Sequence, residues 1–168
     1  MQLPPLTGQE FPDRVSQLRT ADLLVLAASR FWVAHYLDPR GTSERWREGF
    51  RVAGLEQSTA EAFDALFSAF AGGATRAICF HCPASPRLGD DEAMLIQAIA
   101  HLQRGRETPA RLILEAWLAP AALRLALAHA QDIASAMADV GLRLPQRGLD
   151  SSTLADFFTS NHGLGLVH

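Results

Sequence analysis

The sequence predicts an all-α fold, a single-domain bundle of six or seven helices around a central apolar helix. Apolar residues recur at helical spacing over nearly the whole chain. The only strand-like segment, residues 76–81, has no obvious pairing partner. The 168 residues are about the length of one domain, in which residues 1–12 and 161–168 are expected to be loose ends.

The first helix is predicted over residues 20–37, with Thr20 as its N-cap and a stop at the Pro39-Arg40-Gly41 turn. A helix that is apolar nearly all round belongs at the centre of a bundle. The apolar side chains of this segment wrap most of its circumference: Leu23, Leu24, Leu26, Ala27, Phe31 and Val33.

Two helices are predicted between residues 42 and 73. Thr42 or Ser43 caps a short one that Gly54 closes. Ser58 and Glu61 form a Ser-x-x-Glu capping box for the next, which runs over residues 59–71. An aromatic stripe at helical spacing is more typical of a core than of a cofactor pocket. In this helix the stripe consists of Phe63, Phe67 and Phe70.

The second half of the chain is predicted to hold four helices. One runs over residues 90–104 and stops at Gly105. Thr108-Pro109 opens the next, since proline is favoured at the first helical position. Pro120 begins a helix that ends at Gly141, and Ser151 or Ser152 caps a last short one.

The helix over residues 120–140 carries alanine at every fourth position, which makes a ridge of small side chains. Such a ridge lets another helix approach closely. Packing within the chain is the favoured interpretation, and a homodimer seam is the alternative. The ridge consists of Ala122, Ala126, Ala130, Ala134 and Ala138.

Composition excludes several classes of protein. All fifteen basic residues are arginine, which fits a GC-rich bacterial genome, and the net charge of -3 argues against a general nucleic-acid binder. Residues 43–70 have a helix-turn-helix shape, in which acidic residues interleave the arginines and cancel much of their charge. The start of the chain lacks the features of a signal peptide, and its longest apolar run contains Arg30 and His35. A soluble cytoplasmic protein without membrane contacts is expected.

Cys79-Phe80-His81-Cys82 holds both cysteines and is the main candidate site. A CxxC spacing brings two sulfurs close enough for one zinc ion or for a redox disulfide. A closed zinc site wants four ligands, there is no second CxxC, and His81 lies awkwardly between the two cysteines. Zinc bound by Cys79, Cys82 and His81 is therefore the weaker hypothesis.

A redox thiol is usually activated by a helix N-terminus or a cation. Pro83 and Pro86 delay the next helix until about Asp90, which is too far to act strongly on Cys82. The favoured interpretation is two partly buried thiols that pack as small hydrophobic groups. A structural disulfide is not expected in a reducing compartment.

Three consecutive acids, Asp90, Asp91 and Glu92, could suggest acid–base chemistry or a cation site. Their place in a first turn has a simpler explanation, because acids there complement the positive end of the helix dipole. Asp90 is also expected to cap free N–H groups.

Residues 80–145, through "HCPASPRLGDDEAMLIQAIAHLQRG", "ARLILEAWL" and "LRLALAHAQDIASAMADVGLRLP", show a recurrent pattern. A Cys-Pro turn precedes a Leu-x-x-Asp-Glu helix start and an amphipathic helix that ends in Gln-x-Gly. This pattern resembles short all-helical bacterial proteins of unknown function. The resemblance implies one intact domain and brings no catalytic residue.

The function expected from the sequence is that of a non-enzymatic bacterial protein that acts through protein–protein contacts, without a cofactor. No nucleophile elbow, P-loop, dinucleotide-binding glycine pattern or HExxH zinc motif is present in the sequence. The alternative is a thiol redox or metal-responsive module that uses Cys79 and Cys82.

Overall fold

A computed structural model of the chain describes residues 11–41 and 44–147, and these residues form an all-α structure. Six α-helices lie in the described part: α1 (Thr20–Leu37), α2 (Arg45–Val52), α3 (Gln57–Gly73), α4 (Asp90–Leu102), α5 (Glu107–Glu115) and α6 (Pro120–Asp139). A short 3-10 turn, Val15–Gln17, precedes them. Every helix in these ranges is too short or too polar to span a bilayer.

The helix boundaries agree with the sequence pattern better than the capping residues do. Thr20 lies inside α1, and the N-cap is Arg19, whose backbone N–H donates to the Asp22 carboxylate at 3.1 Å. The capping box predicted at Ser58 is wrong, because α3 begins at Gln57. Thr108 is likewise inside a helix, since α5 begins at Glu107. Polar residues near a helix start compete for the cap position, so the pattern alone misplaces the cap by one or two residues.

The ends marked by glycine and proline are as predicted. Pro120 is the first residue of α6. Gly54, Gly105 and Gly141 follow α2, α4 and α6 with positive φ angles of 81°, 70° and 81°. Glycine adopts this left-handed conformation without the Cβ penalty of other residues, so it ends a helix readily.

The most enclosed of the described helices is α4, in which eleven of thirteen residues are buried. Only eight of the eighteen residues of α1 are buried, and Tyr36 and Leu37 at its end are exposed. The buried face of α1 carries the polar residues Asp22, Ser29 and Arg30. The helix predicted to be the most enclosed, α1, is therefore less buried than α4.

The aromatic stripe of α3 forms the core, as predicted. Phe63 and Phe67 are almost completely buried, with ring centroids 4.7 Å apart. Trp46 of α2 packs on Phe63 at 5.6 Å, and Trp117 packs on Phe70 at 5.8 Å. This cluster joins α2, α3 and the turn after α5.

The alanine ridge of α6 is packed inside the chain. Ala126, Ala130 and Ala134 have no exposed surface. The close approach is visible at the end of α3, where a Cβ on Gly73 would lie 2.1 Å from the Cβ of Ala122. The three central alanines are thus covered within one chain, which favours packing within the chain over a homodimer seam, while Ala122 and Ala138 remain partly exposed.

Two expectations concern the ends of the chain. Phe11 belongs to the stretch expected to be loose, yet it is partly buried against the core, and its ring lies 4.8 Å from the Arg147 guanidinium. The short helix predicted from Ser151 or Ser152 and the tail over 161–168 lie outside the described residues.

Candidate functional site

The candidate site is the segment of residues 74–89, here called the thiol loop, which joins α3 to α4. Its sixteen residues form neither helix nor strand, apart from isolated bridges at Ala74 and Arg87. The backbone N–H of Thr75 donates to the Trp117 carbonyl at 2.7 Å and anchors the start of the loop. The strand-like residues 76–81 do not form a strand, as the sequence predicts.

Both thiols of the loop are exposed, and neither cysteine is in a disulfide. The expectation of partly buried thiols is therefore wrong for Cys79 and Cys82. Phe80, between them, points inward instead and packs on Phe67 at a centroid distance of 5.4 Å. A large apolar ring gains more from burial than a thiol does, so the loop turns its cysteines outward.

The acids at the start of α4 bind the backbone of the loop. Asp91 accepts a hydrogen bond from the Cys79 N–H at 2.7 Å, and Glu92 accepts one from the His81 N–H at 2.9 Å. Asp90 is exposed, and the N-cap is Gly89, whose N–H donates to Glu92 at 2.8 Å. Capping by Asp90 is wrong, and the acids do more than complement the helix dipole.

The buried side chain of Arg30, in α1, binds the thiol loop from the protein interior. Its side chain is 2% exposed and forms a two-point ion pair with Glu92, with Nε–Oε1 and Nη2–Oε2 distances of 2.7 and 2.9 Å. It also donates to the carbonyls of Ser85 at 2.8 Å and Arg87 at 2.6 Å. One buried guanidinium thus joins α1, α4 and the second half of the loop, and its planar fork suits this arrangement.

The ionisation of Glu92 follows from these contacts. Burial acts to raise the pKa of its carboxyl, and hydrogen bonds from Arg30, Gly89 and His81, together with the Arg30 charge, outweigh that effect. The pKa of Glu92 therefore lies below its ordinary value of 4.5. Glu92 is an ionised, fully engaged structural group.

Arg76 forms a second ion pair at the loop, with the Asp91 carboxylate. The Nη2–Oδ1 distance is 2.7 Å, and the Arg76 side chain is 39% exposed. The same guanidinium lies 5.9 Å from the centre of the Trp117 ring, within the range of a cation–π contact. Asp91 is thereby oriented toward the Cys79 N–H.

His81 lies at the edge of the site. Its Nδ1 is 3.6 Å from Glu92 Oε2, and 40% of its side chain is exposed. A Cβ on Gly89 would come within 2.8 Å of the imidazole ring, so Gly89 leaves the space that His81 occupies. His81 is thus turned toward Glu92.

The candidate metal ligands Cys79, His81 and Cys82 share the loop, but they do not form a cluster suited to a metal. Within residues 11–41 and 44–147, no three His, Cys, Asp or Glu side chains are arranged to hold an ion. The amide N–H groups of Cys79 and His81 donate to carboxylates. They are therefore not free to donate to a thiolate sulfur.

Two arginines of the helix-turn-helix shape are paired with acids in or next to their own helix. Arg47 Nε lies 3.0 Å from Glu44, and Arg51 Nε lies 2.9 Å from Glu48. Both pairs involve exposed groups, so the positive charge of α2 is largely cancelled at its surface. This agrees with the interleaving seen in the sequence.

A second buried ion pair, which sequence reasoning missed, lies at the other end of α1. Arg147 donates to both carboxylate oxygens of Asp22, at 2.8 and 2.7 Å, and both side chains are almost fully buried. Gln97 of α4 donates to the Arg147 carbonyl at 2.7 Å and lies 3.3 Å from His101 Nε2. The chain after α6 is thereby fixed against α1 and α4.

His101 is buried within α4, and its ionisation is perturbed. Burial lowers the pKa of its imidazole below the ordinary value of 6.5, and the charges of Arg106 and Arg104 lower it further. A neutral His101 is the form that fits the folded core.

The buried contacts of Arg30 with Glu92 and with the carbonyls of Ser85 and Arg87 are here called the brace. Sequence reasoning also missed the brace, although the sequence held a signal for it. Arginine is almost never fully buried without a partner. Arg30 lies in the apolar run over residues 23–37, where burial is expected on both sides of it. A search for an acidic residue in another predicted helix would have included Glu92 as a candidate partner.

No protein-family model, curated protein or solved structure matches this chain.

Proposed function

We propose that the chain is a non-enzymatic bacterial protein that acts in the cytoplasm through protein contacts, and that the thiol loop is its recognition surface. One observation carries the proposal. The loop exposes most of its side chains, both thiols included, while the buried Arg30–Glu92 pair holds its backbone from inside the protein.

A loop of this length with no secondary structure of its own is uncommon in a compact domain and is usually functional. The brace holds the loop in one conformation, so a partner would not have to order it on binding. A buried ion pair contributes more to a specific geometry than to net stability, since desolvation offsets much of its attraction. The same pair argues for binding over acid–base catalysis, because the Glu92 carboxylate already accepts hydrogen bonds from Arg30, His81 and Gly89.

Site-specific photo-crosslinking in a bacterial host tests this proposal. A photoreactive amino acid at Cys82, on the loop, is compared with the same group at Leu125, which is 59% exposed on α6. We expect a discrete crosslinked polypeptide from position 82 that position 125 does not give. Glu92→Gln should weaken that product, because it loosens the loop while leaving its exposed side chains unchanged. Identical products from both positions would contradict a recognition role for the loop.

The exposure of both thiols favours one alternative, a thiol redox or metal-responsive module that uses Cys79 and Cys82. Elemental analysis of the purified protein and mass spectrometry after mild oxidation by hydrogen peroxide test it. One equivalent of zinc per chain, or a reversible Cys79–Cys82 disulfide that reduction restores, would establish the alternative. We expect neither, because the loop N–H groups that could stabilise a charged sulfur are bound by carboxylates.

A further inference from the structure

Two arginines lie opposite each other where the thiol loop meets the start of the chain. Arg14 and Arg87 form an antiparallel bridge, with N–H to carbonyl hydrogen bonds from Val15 to Pro86 at 3.0 Å and from Leu88 to Asp13 at 3.1 Å. These bonds flank the arginines, which makes them a non-hydrogen-bonded pair. Side chains of such a pair lie on one face of the ribbon and are closer than in the other type of pair, with Cα atoms roughly 4.5 Å apart.

Among the residues that the structure describes, no acid forms an ion pair with either arginine of this pair, and Asp13 beside them is not within ion-pair distance of either. Like charges at directly opposite positions destabilise a strand pair. The arrangement is therefore unfavourable for the chain alone and becomes favourable when an anion lies between the two side chains.

The brace of the loop fixes this arrangement. Arg30 donates to the carbonyls of Ser85 and Arg87, and the Ser85 hydroxyl accepts the Arg87 N–H at 3.3 Å. The backbone of Arg87 is thus held from the inside, so its position opposite Arg14 is determined by the core. Because the backbone positions of the two arginines are fixed, an anion does not have to order the chain in order to bring them together.

A cleft of about 480 Å³ lies at the same place, lined by Asp13, Arg14, Pro86, Arg87 and Leu88. This volume is within the range of protein sites for small ligands. Guanidinium groups recognise carboxylates with two parallel hydrogen bonds. The lining therefore suits acidic side chains of a peptide.

We infer that this cleft, the arginine cleft, binds an acidic segment of a partner protein and that Arg14 and Arg87 are its binding residues. The inference rests on the proposed function, because the thiol loop supplies one wall of the cleft. A nucleic acid fits less well, since it requires an extended basic face.

The test uses the purified full chain and a fluorescent acetyl-tetraglutamate amide as the probe. We expect salt-dependent binding that a tetraglutamine peptide of the same length does not show, since mobile ions screen exposed charges. Arg14→Gln and Arg87→Gln should each weaken it about threefold, and the double variant about tenfold, as expected for exposed charge pairs. Arg124→Gln on α6 is the matched control, because it removes an exposed arginine that does not line the arginine cleft.

Equal affinity in the wild type and the Arg14→Gln/Arg87→Gln variant would overturn the inference, as would absence of binding. Tighter binding of a single-stranded oligonucleotide of equal charge, or equal binding of inorganic phosphate, would overturn the assignment to an acidic peptide. The crosslinked product from position 82 separates the two proposals. If the product persists unchanged in the double arginine variant, the recognition role of the loop stands and the arginine cleft does not.

Discussion

Replacing Arg30 with methionine tests whether the buried brace holds the thiol loop. Methionine keeps the length and the helical preference of the side chain and removes its charge and all its donors. The substitution removes both bonds to Glu92 and leaves the carbonyls of Ser85 and Arg87 without their donor. The Glu92 carboxylate, 1% exposed, then remains buried with only two backbone N–H donors.

The expected loss in the free energy of unfolding is about 3–5 kcal/mol, the usual effect of removing one partner of a buried ion pair. This is a large part of the roughly 5–15 kcal/mol that stabilises a typical protein. The loss should be smaller at low pH. The pKa of Glu92 is lowered in the folded state, so its contribution is present above about 4.5 and disappears as the pH falls through the folded value.

The assay is urea unfolding followed by far-UV circular dichroism at pH 7.5 and at pH 4. Amide hydrogen exchange of Cys79 and His81 supplies a local reading, because both N–H groups should exchange faster when the loop is loosened. Arg51→Met removes the exposed ion pair on α2 and should leave unfolding unchanged, since solvent screens that pair.

A double-mutant cycle of Arg30→Met and Glu92→Gln separates the energy of the Arg30–Glu92 interaction from that of the other contacts that each side chain makes. The coupling energy should be about 1–3 kcal/mol, because the two side chains are in direct contact. The double variant should not regain wild-type stability, since the carbonyls of Ser85 and Arg87 still lack their donor. A loss below about 1 kcal/mol in Arg30→Met would refute the brace, because surface-like effects are of that size.

Three further outcomes are expected from the core. Phe67→Ala should lower the free energy of unfolding by about 3–5 kcal/mol in denaturant unfolding. Phe31→Ala, at a half-buried position, should lower it clearly less. Equal losses would show that the packing around α3 is misassigned. Ala130→Glu should prevent folding at any protein concentration, whereas the exposed Ala128→Glu should not; a folded monomer from Ala130→Glu, seen by sedimentation and circular dichroism, would show that the ridge is not internal. The free energy of unfolding should decrease as the pH falls below about 6.5, because the unfolded chain protonates His101 before the folded one does. His101→Gln should flatten this part of the plot of stability against pH. An unchanged plot would place the proton uptake on another group.

Local patterns in the sequence were enough to predict most helices. The range predicted for α1, residues 20–37, agrees with Thr20–Leu37, and the start of α6 agrees with Pro120. Hydrophobic periodicity, proline and glycine act within a few residues, so their effects can be read without knowing the rest of the fold. Caps were misplaced at Ser58 and Thr108, because several polar residues near a helix start compete for that role.

The environment of the thiols could not be predicted in this way. Whether Cys79 is exposed depends on where Phe80 finds its aromatic partner and on Asp91, twelve residues further along the chain. The sequence places three acids at the start of α4 and favours a dipole effect for all of them. Only the fold shows that Asp91 and Glu92 turn back to bind the loop.

By itself, the sequence determined that this protein is helical, where most helices begin and end, and that both cysteines lie together between two of them. The tertiary structure alone decided which helix is enclosed and which charges are buried. Arg30 and Glu92 are 62 residues apart, and Asp22 and Arg147 are 125 apart. A helix pattern reports only which side of a segment is apolar, whereas a buried ion pair forms when packing brings two distant segments together and desolvates both charges.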